Sequence, residues 1–283
     1  MADLPKITIV TPSYNQGEFI EATIRSILDQ NYPNLEYIIM DGGSTDESVE
    51  IIKKYETSLS YWESHPDKGQ ADAIYRGFER ATGEILGWVN SDDLLLPGAL
   101  VKVGNWFAMH PHEEWVVGGS TTIDQGGEIL RDRFGFPQCR FGAHVTFHKL
   151  LFYGCPFVQP ASFWRRSAFF EVGGFEKSFH FCFDYDLFFR LSRRHPSGCI
   201  KKMLAAFRVH EASKGGTLRD VQNVENKLLW EKYGRFNKWA MYRRIVNMFY
   251  DQDARFKSLW LRLNVMFGLL RSSECERSKK SFI

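Results

Sequence analysis

The sequence predicts an α/β fold, and three observations carry that prediction. Apolar, β-branched runs at 6–11 and 35–40 read as strands buried on both faces. Stretches with apolar residues at helical spacing separate them. Clusters of Asn, Asp, Gly and Ser then follow the strands, at the ends where open α/β sheets bind ligands.

The elements follow in order. Lys6 to Thr11 (KITIVT) is the first strand, and PSYNQGEF after it is a turn cluster. Ile20, Ile24, Ile27 and Leu28 recur as one face of a helix. Leu35 to Met40 is the second strand, ending at Asp41. Asp46 to Tyr55 carries Val49, Ile51 and Ile52 on a short helix, with Ser44 or Thr45 as its expected N-cap. Leu59 to Trp62 is a third strand, Ala71 to Ala81 a helix, and Glu84 to Val89 a fourth strand running into Asn90-Ser91-Asp92-Asp93. This alternation is that of a parallel sheet.

From Trp115 the pattern changes. WVVGGSTTID and EILRDRFGF read as antiparallel strands about Gly126-Gly127, while residues 137–160 are aromatic and irregular. Phe183 to Arg194 is a helix with acids at the front and arginines at the back, as its dipole favours. Ile200 to Val209 is a further strand, and from Val221 the chain reads as helical.

Composition bounds the function. The chain of 283 residues is one large domain or one with an appendage. Aromatic residues at 15% imply a core or docking surface rich in rings. The net charge of +2 hides an asymmetry: residues 219–283 hold 14 Lys/Arg against 7 Asp/Glu, residues 1–218 hold 22 against 27. A boundary is expected near Gly215-Gly216. The N-terminus lacks a basic region followed by a long apolar run, so no secretory signal is expected. Cys139, Cys155, Cys182, Cys199 and Cys275 fit neither a disulfide framework nor a zinc site, which suits a reduced cytoplasmic compartment. No G-x-G-x-x-G follows the first strand, and there is no Walker A lysine, G-x-S-x-G elbow or H-E-x-x-H.

Four constellations could carry chemistry. Asp92 and Asp93 are adjacent carboxylates whose repulsion a divalent cation relieves, and such an ion commonly shares its shell with substrate phosphates. A solvated turn with Asp93 capping a following helix accounts for the same string. Asp41, before Gly42-Gly43, could accept hydrogen bonds from a base or ribose, or simply make a turn. Asp184 in Phe183-Asp184-Tyr185-Asp186 could be a general base, or an ordinary acid in a first helical turn. His210 could be a metal ligand or diphosphate contact with Lys214 nearby, or an exposed loop histidine.

Together these residues resemble a known family. ITIVTPSYNQGEFIEATIRSILDQNYPNLEYIIMDGGSTDES and DKGQADAIYRGFERATGEILGWVNSDD are similar to the N-terminal half of family-2 glycosyltransferases. QPASFWRRSAFFEVGGFEKSF and FDYDLFFRL resemble that family's acceptor-side and catalytic segments. The resemblance implies a glycosyltransferase A fold: a Rossmann-like nucleotide-binding half (1–114) and an acceptor half (115–218) around a mixed sheet, with a helical extension over 219–283. It implies a nucleotide-sugar donor, UDP foremost, Mn2+ or Mg2+ as cofactor, and inversion. By position, Thr11, Pro12, Tyr14, Asp41, Asp67, Gln70 and Asp92 would meet the nucleotide. Asp92, Asp93 and His210 would hold the metal, and Asp184 would be the catalytic base. Two positions depart from the family pattern: Asn90 replaces the first acid of the metal motif, and Phe183 an acid before the base.

The implied acceptor is a hydroxyl of a glycan or lipid-linked glycan in bacterial surface polysaccharide assembly, of the lipopolysaccharide type. The two departures leave a catalytically inactive nucleotide-binding scaffold of the same fold as the alternative. Arg235 to Leu270 mixes rings with cations, a pattern that suits either an anionic membrane surface, at the inner face of the plasma membrane, or packing on the body or a second subunit. No recognition fold for nucleic acid is present, so nucleic acid is not an expected partner.

Overall fold

The computed structural model describes residues 4–131, 139–140, 144–211, 213–214 and 218–234. The chain divides into two compact units, residues 1–229 and 230–283. The extension expected over 219–283 therefore lies mostly outside the described residues, as does Cys275; residues 219–229 belong to the first unit.

In the first unit a mixed sheet of nine strands forms among the described residues. Its parallel part comprises β1 (Ile7–Ser13), β2 (Leu35–Asp41), β3 (Tyr61–Ser64) and β4 (Ile85–Trp88), in the order β3-β2-β1-β4. β1 is buried along its whole length, as its β-branched sequence requires. In register, Ser13 stands beside Asp41 and Asp41 beside Ser64, so the ends of three strands open at one level. Helices α1 (Gly17–Leu28), α2 (Ser48–Lys54) and α3 (Gln70–Arg80) are the crossovers. Helix α3 lies close on the sheet: a Cβ on Gly77 would stand 2.7 Å from Val10 Cγ1.

One buried charge fixes the opposite end of this half. Glu36 is 6% exposed and accepts from Thr8 Oγ1 (2.5 Å), Thr82 N (2.7 Å), Thr82 Oγ1 (2.6 Å) and Lys6 Nζ (2.9 Å). Burial alone would raise its pKa, but these hydrogen bonds outweigh that cost and hold it down at about 2.

The rest of the sheet is built by long-range pairing. It comprises β5 (Leu94–Leu95), β6 (Trp115–Ile123), β7 (Cys139–Arg140), β8 (Ser162–Arg165) and β9 (Gly198–Arg208). β8 joins the halves, antiparallel to both β4 and β6, and β6 runs parallel to β9. Helices α4 (Ala99–Met109), α5 (Phe147–Tyr153), α6 (Arg166–Glu171), α7 (Phe183–Arg194) and α8 (Arg219–Tyr233) complete the described elements.

The abundant aromatic residues form a core where the halves meet. Phe78 and Phe169 pack at 5.0 Å between ring centroids, Trp88 and Trp164 at 5.2 Å, Trp88 and Phe175 at 5.4 Å, and Phe175 and Phe183 at 5.0 Å. All four are edge-on pairs, the geometry a ring quadrupole favours. The first residue of α7 is thus anchored in this cluster.

The described part of EILRDRFGF does fold back antiparallel on the end of β6 about Gly126-Gly127: Ile129 bridges Ile123, and the Leu130 amide donates to the Thr122 carbonyl at 2.9 Å, while residues 132–138 lie outside the described residues. β6 takes its main partners, β8 and β9, from far along the chain. Several local expectations need correction. The N-cap of α2 is Glu47, because Ser44 is engaged by Asp41 and by the Asn15 amide. Asp93 caps no helix; β5 follows it, and α4 starts only after Gly98, whose φ is 72°. Helices α4, α5 and α6 and strand β8 were not expected. For α4 the signal was present: Leu100, Val103 and Phe107 recur at helical spacing behind Pro97-Gly98.

Candidate active site

At the carboxyl ends of β1, β2 and β3, two βα loops are tied to each other. In the loop after β1, the Asn15 amide donates to Ser44 Oγ (2.8 Å), the Gln16 amide to Ser48 Oγ (2.9 Å) and the Gly17 amide to Asp46 Oδ2 (2.8 Å). The Thr45 amide returns a bond to Asn15 Oδ1 at 2.9 Å, and Asn15 takes the left-handed conformation, φ 50°, that asparagine tolerates. The orphan amides at the start of α1 are therefore met by the neighbouring loop.

Asp41 is fully buried. Its carboxylate accepts from the amides of Gly43 (3.1 Å) and Ser44 (2.8 Å) and from the hydroxyls of Ser44 and Ser64 (both 2.6 Å). These bonds are those of the turn description of Asp41: it shapes the loop after β2. Gly42 has no room for a side chain, since a Cβ there would stand 2.8 Å from Asp67 Oδ2 and 3.4 Å from Tyr14 Cδ2. Tyr14, Gly42 and Asp67 consequently converge, with the Tyr14 ring 62% exposed. Thr11 and Pro12 are buried in β1, and Thr11 Oγ1 shares a hydrogen bond with Tyr37 Oη at 3.0 Å, directed into the core. The adjacent Ser13 Oγ is buried with no hydrogen-bond partner.

The second centre lies after β4. Asp93 is 1% exposed; its Oδ1 accepts from the Arg208 amide at 2.9 Å and its Oδ2 from Asn90 Nδ2 at 3.2 Å. Burial, and then the neighbouring Asp92 charge, push its pKa well above the carboxylate range. Asp92 is the accessible member of the pair, and its Oδ2 stands 3.1 Å from His210 Nε2. Thr23 Oγ1 reaches the Ser91 and Asp93 carbonyls at 2.9 and 2.8 Å. Arg208 Nε donates to the Asp92 carbonyl at 2.8 Å, and Phe19 packs against the His210 ring at 4.5 Å. Among the described residues, no three His, Cys, Asp or Glu side chains gather to hold a metal by themselves.

The third centre is Asp184, in the first turn of α7 and partly buried. Burial pushes its pKa up to about 6, against the opposing influence of the Tyr185 amide and the Lys214 charge. Lys214 Nζ donates to Gln70 Oε1 at 2.9 Å and also to the His180 carbonyl. Burial lowers the Lys214 pKa, while the charges of Asp184 and Glu225 resist that shift. Gln70 Nε2 in turn donates to Asn90 Oδ1 at 2.7 Å. A continuous chain, Lys214–Gln70–Asn90–Asp93, therefore joins the second and third centres.

Phe19, Thr23, Arg208 and Glu225 belong to these centres without having been expected there. Two carried a signal: Thr23 interrupts the apolar face of Ile20, Ile24 and Ile27, and Arg208 ends the apolar run LAAF. Burial pushes the Cys155 and Cys182 thiols up to about 12, so neither is a reactive thiolate. No helix among the described residues is long and apolar enough to cross a membrane.

A parallel α/β half, an antiparallel bridge strand and acidic loops at the strand ends define a glycosyltransferase A fold. The chain belongs to the family described as Glycosyl transferase family 2, whose profile matches residues 8–172, more than half of its length. A Rickettsia typhi relative described as uncharacterized glycosyltransferase RT0329 is 26% identical over 235 residues, 81% of this chain and 71% of the relative. A Rickettsia felis relative, likewise an uncharacterized glycosyltransferase, is 25% identical, and the match spans only 38% of its length. Among solved structures, Staphylococcus aureus TarS residues 1–349 with UDP-GlcNAc superposes with a TM-score of 0.59 at 17% identity, over 75% of this chain and 61% of that one. The mannosyltransferase PcManGT from Pyrobaculum calidifontis, with GDP-Man and Mn2+, gives 0.58 at 16% identity, over 99% and 84%.

Proposed function

We propose that this glycosyltransferase moves a sugar from a nucleotide-diphosphate sugar, UDP-linked in the first instance, to a hydroxyl of a glycan or lipid-linked glycan. Its donor half corresponds to 1–114 and its acceptor half to 115–218. The observation that carries the proposal is the hydrogen-bonded chain from Lys214 through Gln70 and Asn90 to Asp93, which links the acidic pair after β4 to the cation whose charge acts on Asp184.

On the donor side, Tyr14 offers an exposed ring for the base, and the Asp41–Ser44 loop offers a rigid edge. The unpartnered Ser13 hydroxyl at the end of β1 suits a ligand that supplies its missing bond. A divalent ion fits the donor set of Asp92 and His210. At metal–ligand distances of about 2.1 Å, adjacent ligands of an octahedral ion stand about 3 Å apart, close to the 3.1 Å between Asp92 Oδ2 and His210 Nε2. With only two such side chains, the donor diphosphate would complete the shell. Bound Mn2+ or Mg2+ would supply neutralisation of the charge that develops on the leaving diphosphate. Asp93, buried and already bonded, orients the loop beneath Asp92.

Asp184 is the general base of this reading. A carboxylate with a pKa of about 6 is ionised at neutral pH and basic enough to take the acceptor proton. Attack from the face opposite the nucleotide inverts the anomeric carbon. UDP- and GDP-linked ligands both occur in the structurally similar proteins. Calorimetry with UDP-, GDP- and dTDP-sugars, with Mn2+, with Mg2+ and with chelator, tests the donor assignment. Cation-dependent binding of a UDP-sugar is expected, followed by release of UDP on addition of acceptor. Binding with no turnover under any acceptor would favour the inactive scaffold. The membrane reading of the basic segment is tested by flotation of the full chain with anionic against neutral liposomes.

A further inference from the structure

Helix α7, which carries Asp184, receives its N-terminal cap from elsewhere in the chain. The Cys182 cap position makes no side-chain capping bond of its own. Instead Glu225, near the start of α8 and 5% exposed, accepts from three consecutive amides. The His180 amide donates to Oε1 at 2.7 Å, and those of Phe181 and Cys182 to Oε2 at 2.7 and 2.8 Å. Cys182 Sγ adds a contact to Asn226 Oδ1 at 3.6 Å. The Cys182 amide belongs to the cap position and has no intrahelical acceptor, and the His180 and Phe181 amides lie just before it. A carboxylate 43 residues beyond Cys182 holds all three.

The consequence falls on the next residues of the chain. Cys182 leads directly into Phe183, buried in the aromatic core, and Asp184. The same capped segment presents the His180 carbonyl to Lys214, which is bonded to Gln70 on the donor side. We infer that Glu225 is a positioning residue for Asp184: it fixes the first turn of α7 so that the carboxylate faces the acceptor beside Lys214. The inference rests on Asp184 being the base. It also makes the start of α8 part of the catalytic body, so a truncation at 218 would disturb transfer as well as any membrane contact.

A glutamine at 225 keeps the size of the side chain but loses the charge and turns an NH2 group toward amide donors. In full-length Glu225→Gln, kcat is expected to fall about 10- to 100-fold while the donor Kd stays within about twofold. Hydrogen exchange of the His180–Cys182 amides should quicken at least about tenfold, and Glu225→Asp should lie between the two. Should Glu225→Gln not accumulate, the Asp variant is measured in the same way. Val224→Ala, at a position 60% exposed on the same helix, should change none of these quantities.

A pH profile separates positioning from simple loss of stability. Asp184 is faced by Lys214 from the loop after β9, Glu225 from α8, Cys155 from the loop after α5, and Cys182. Removing the Glu225 charge should move the acid limb of kcat to lower pH. A lowered melting temperature with unchanged kcat per folded molecule and an unchanged acid limb would overturn the inference. Asp184→Asn, measured alongside, keeps the two claims apart. Transfer surviving in that variant overturns the base and its positioning together, whereas loss there with wild-type kcat in Glu225→Gln overturns the positioning alone.

Discussion

The proposed donor side and the proposed base side are built by different means. On the first, Asp41, Asp92 and Asp93 stand at the ends of buried parallel strands; Asp41 is held by its own and the neighbouring loop, whereas Asp92 and Asp93 also meet His210 and Arg208. On the second, Asp184 opens a helix whose lead-in segment is held by Glu225 and whose neighbouring cation, Lys214, comes from a third segment. The Asp41 loop is local, so it can be damaged locally. Asp184 depends on contacts between distant parts of the chain, so it can be damaged from far away.

Breaking the base side alone should give the largest effect. Asp184→Asn should reduce transfer by about 10³-fold, within the range general-base catalysis supplies, and leave calorimetric donor affinity within twofold. The framework of the parallel half comes next. Glu36 has a folded pKa of about 2 against an ordinary 4.5, a depressed value. Its stabilisation is therefore complete above about pH 4.5 and is lost as pH falls toward 2, amounting to about 3 kcal/mol. Urea melts from pH 7 to pH 2 should show that decline in the wild type and a much shallower one in Glu36→Gln. The smallest effect is expected at the ion. Asp92→Asn should weaken cation-dependent donor binding about tenfold, with chelator-treated wild type and variant binding alike. A variant that lost transfer but kept cation-dependent binding would move the ion away from Asp92.

The same contrast decides what the sequence could reveal. The alternation of strands and helices to residue 89 was legible because parallel strands are continuous apolar runs and their loops carry turn residues. Helix 183–194 was legible from its apolar spacing and charge polarity. The pairing of β6 with β9 and of β8 with β4 was not, because register between distant strands leaves no local pattern. Within the site, Asp92 and Asp93 were visible as a pair, but their division into an accessible and a buried carboxylate depends on Arg208 and Asn90. Thr11 matches the family position, yet its hydroxyl turns to Tyr37, a direction that the motif does not encode. Glu225 had no signal at all, since an acid in a helical stretch looks like any solvated one.

The central claim is that Asp184, ionised above a pKa of about 6, takes the acceptor proton. The most direct measurement is the pH dependence of kcat at saturating donor and cation, for the wild type and Asp184→Asn. A base must be deprotonated to act, so wild-type kcat should be level near neutrality and fall tenfold per pH unit below about 6. The residual rate of Asp184→Asn should lack that limb. An acid limb unchanged in the variant, or transfer at the wild-type rate, would contradict the assignment.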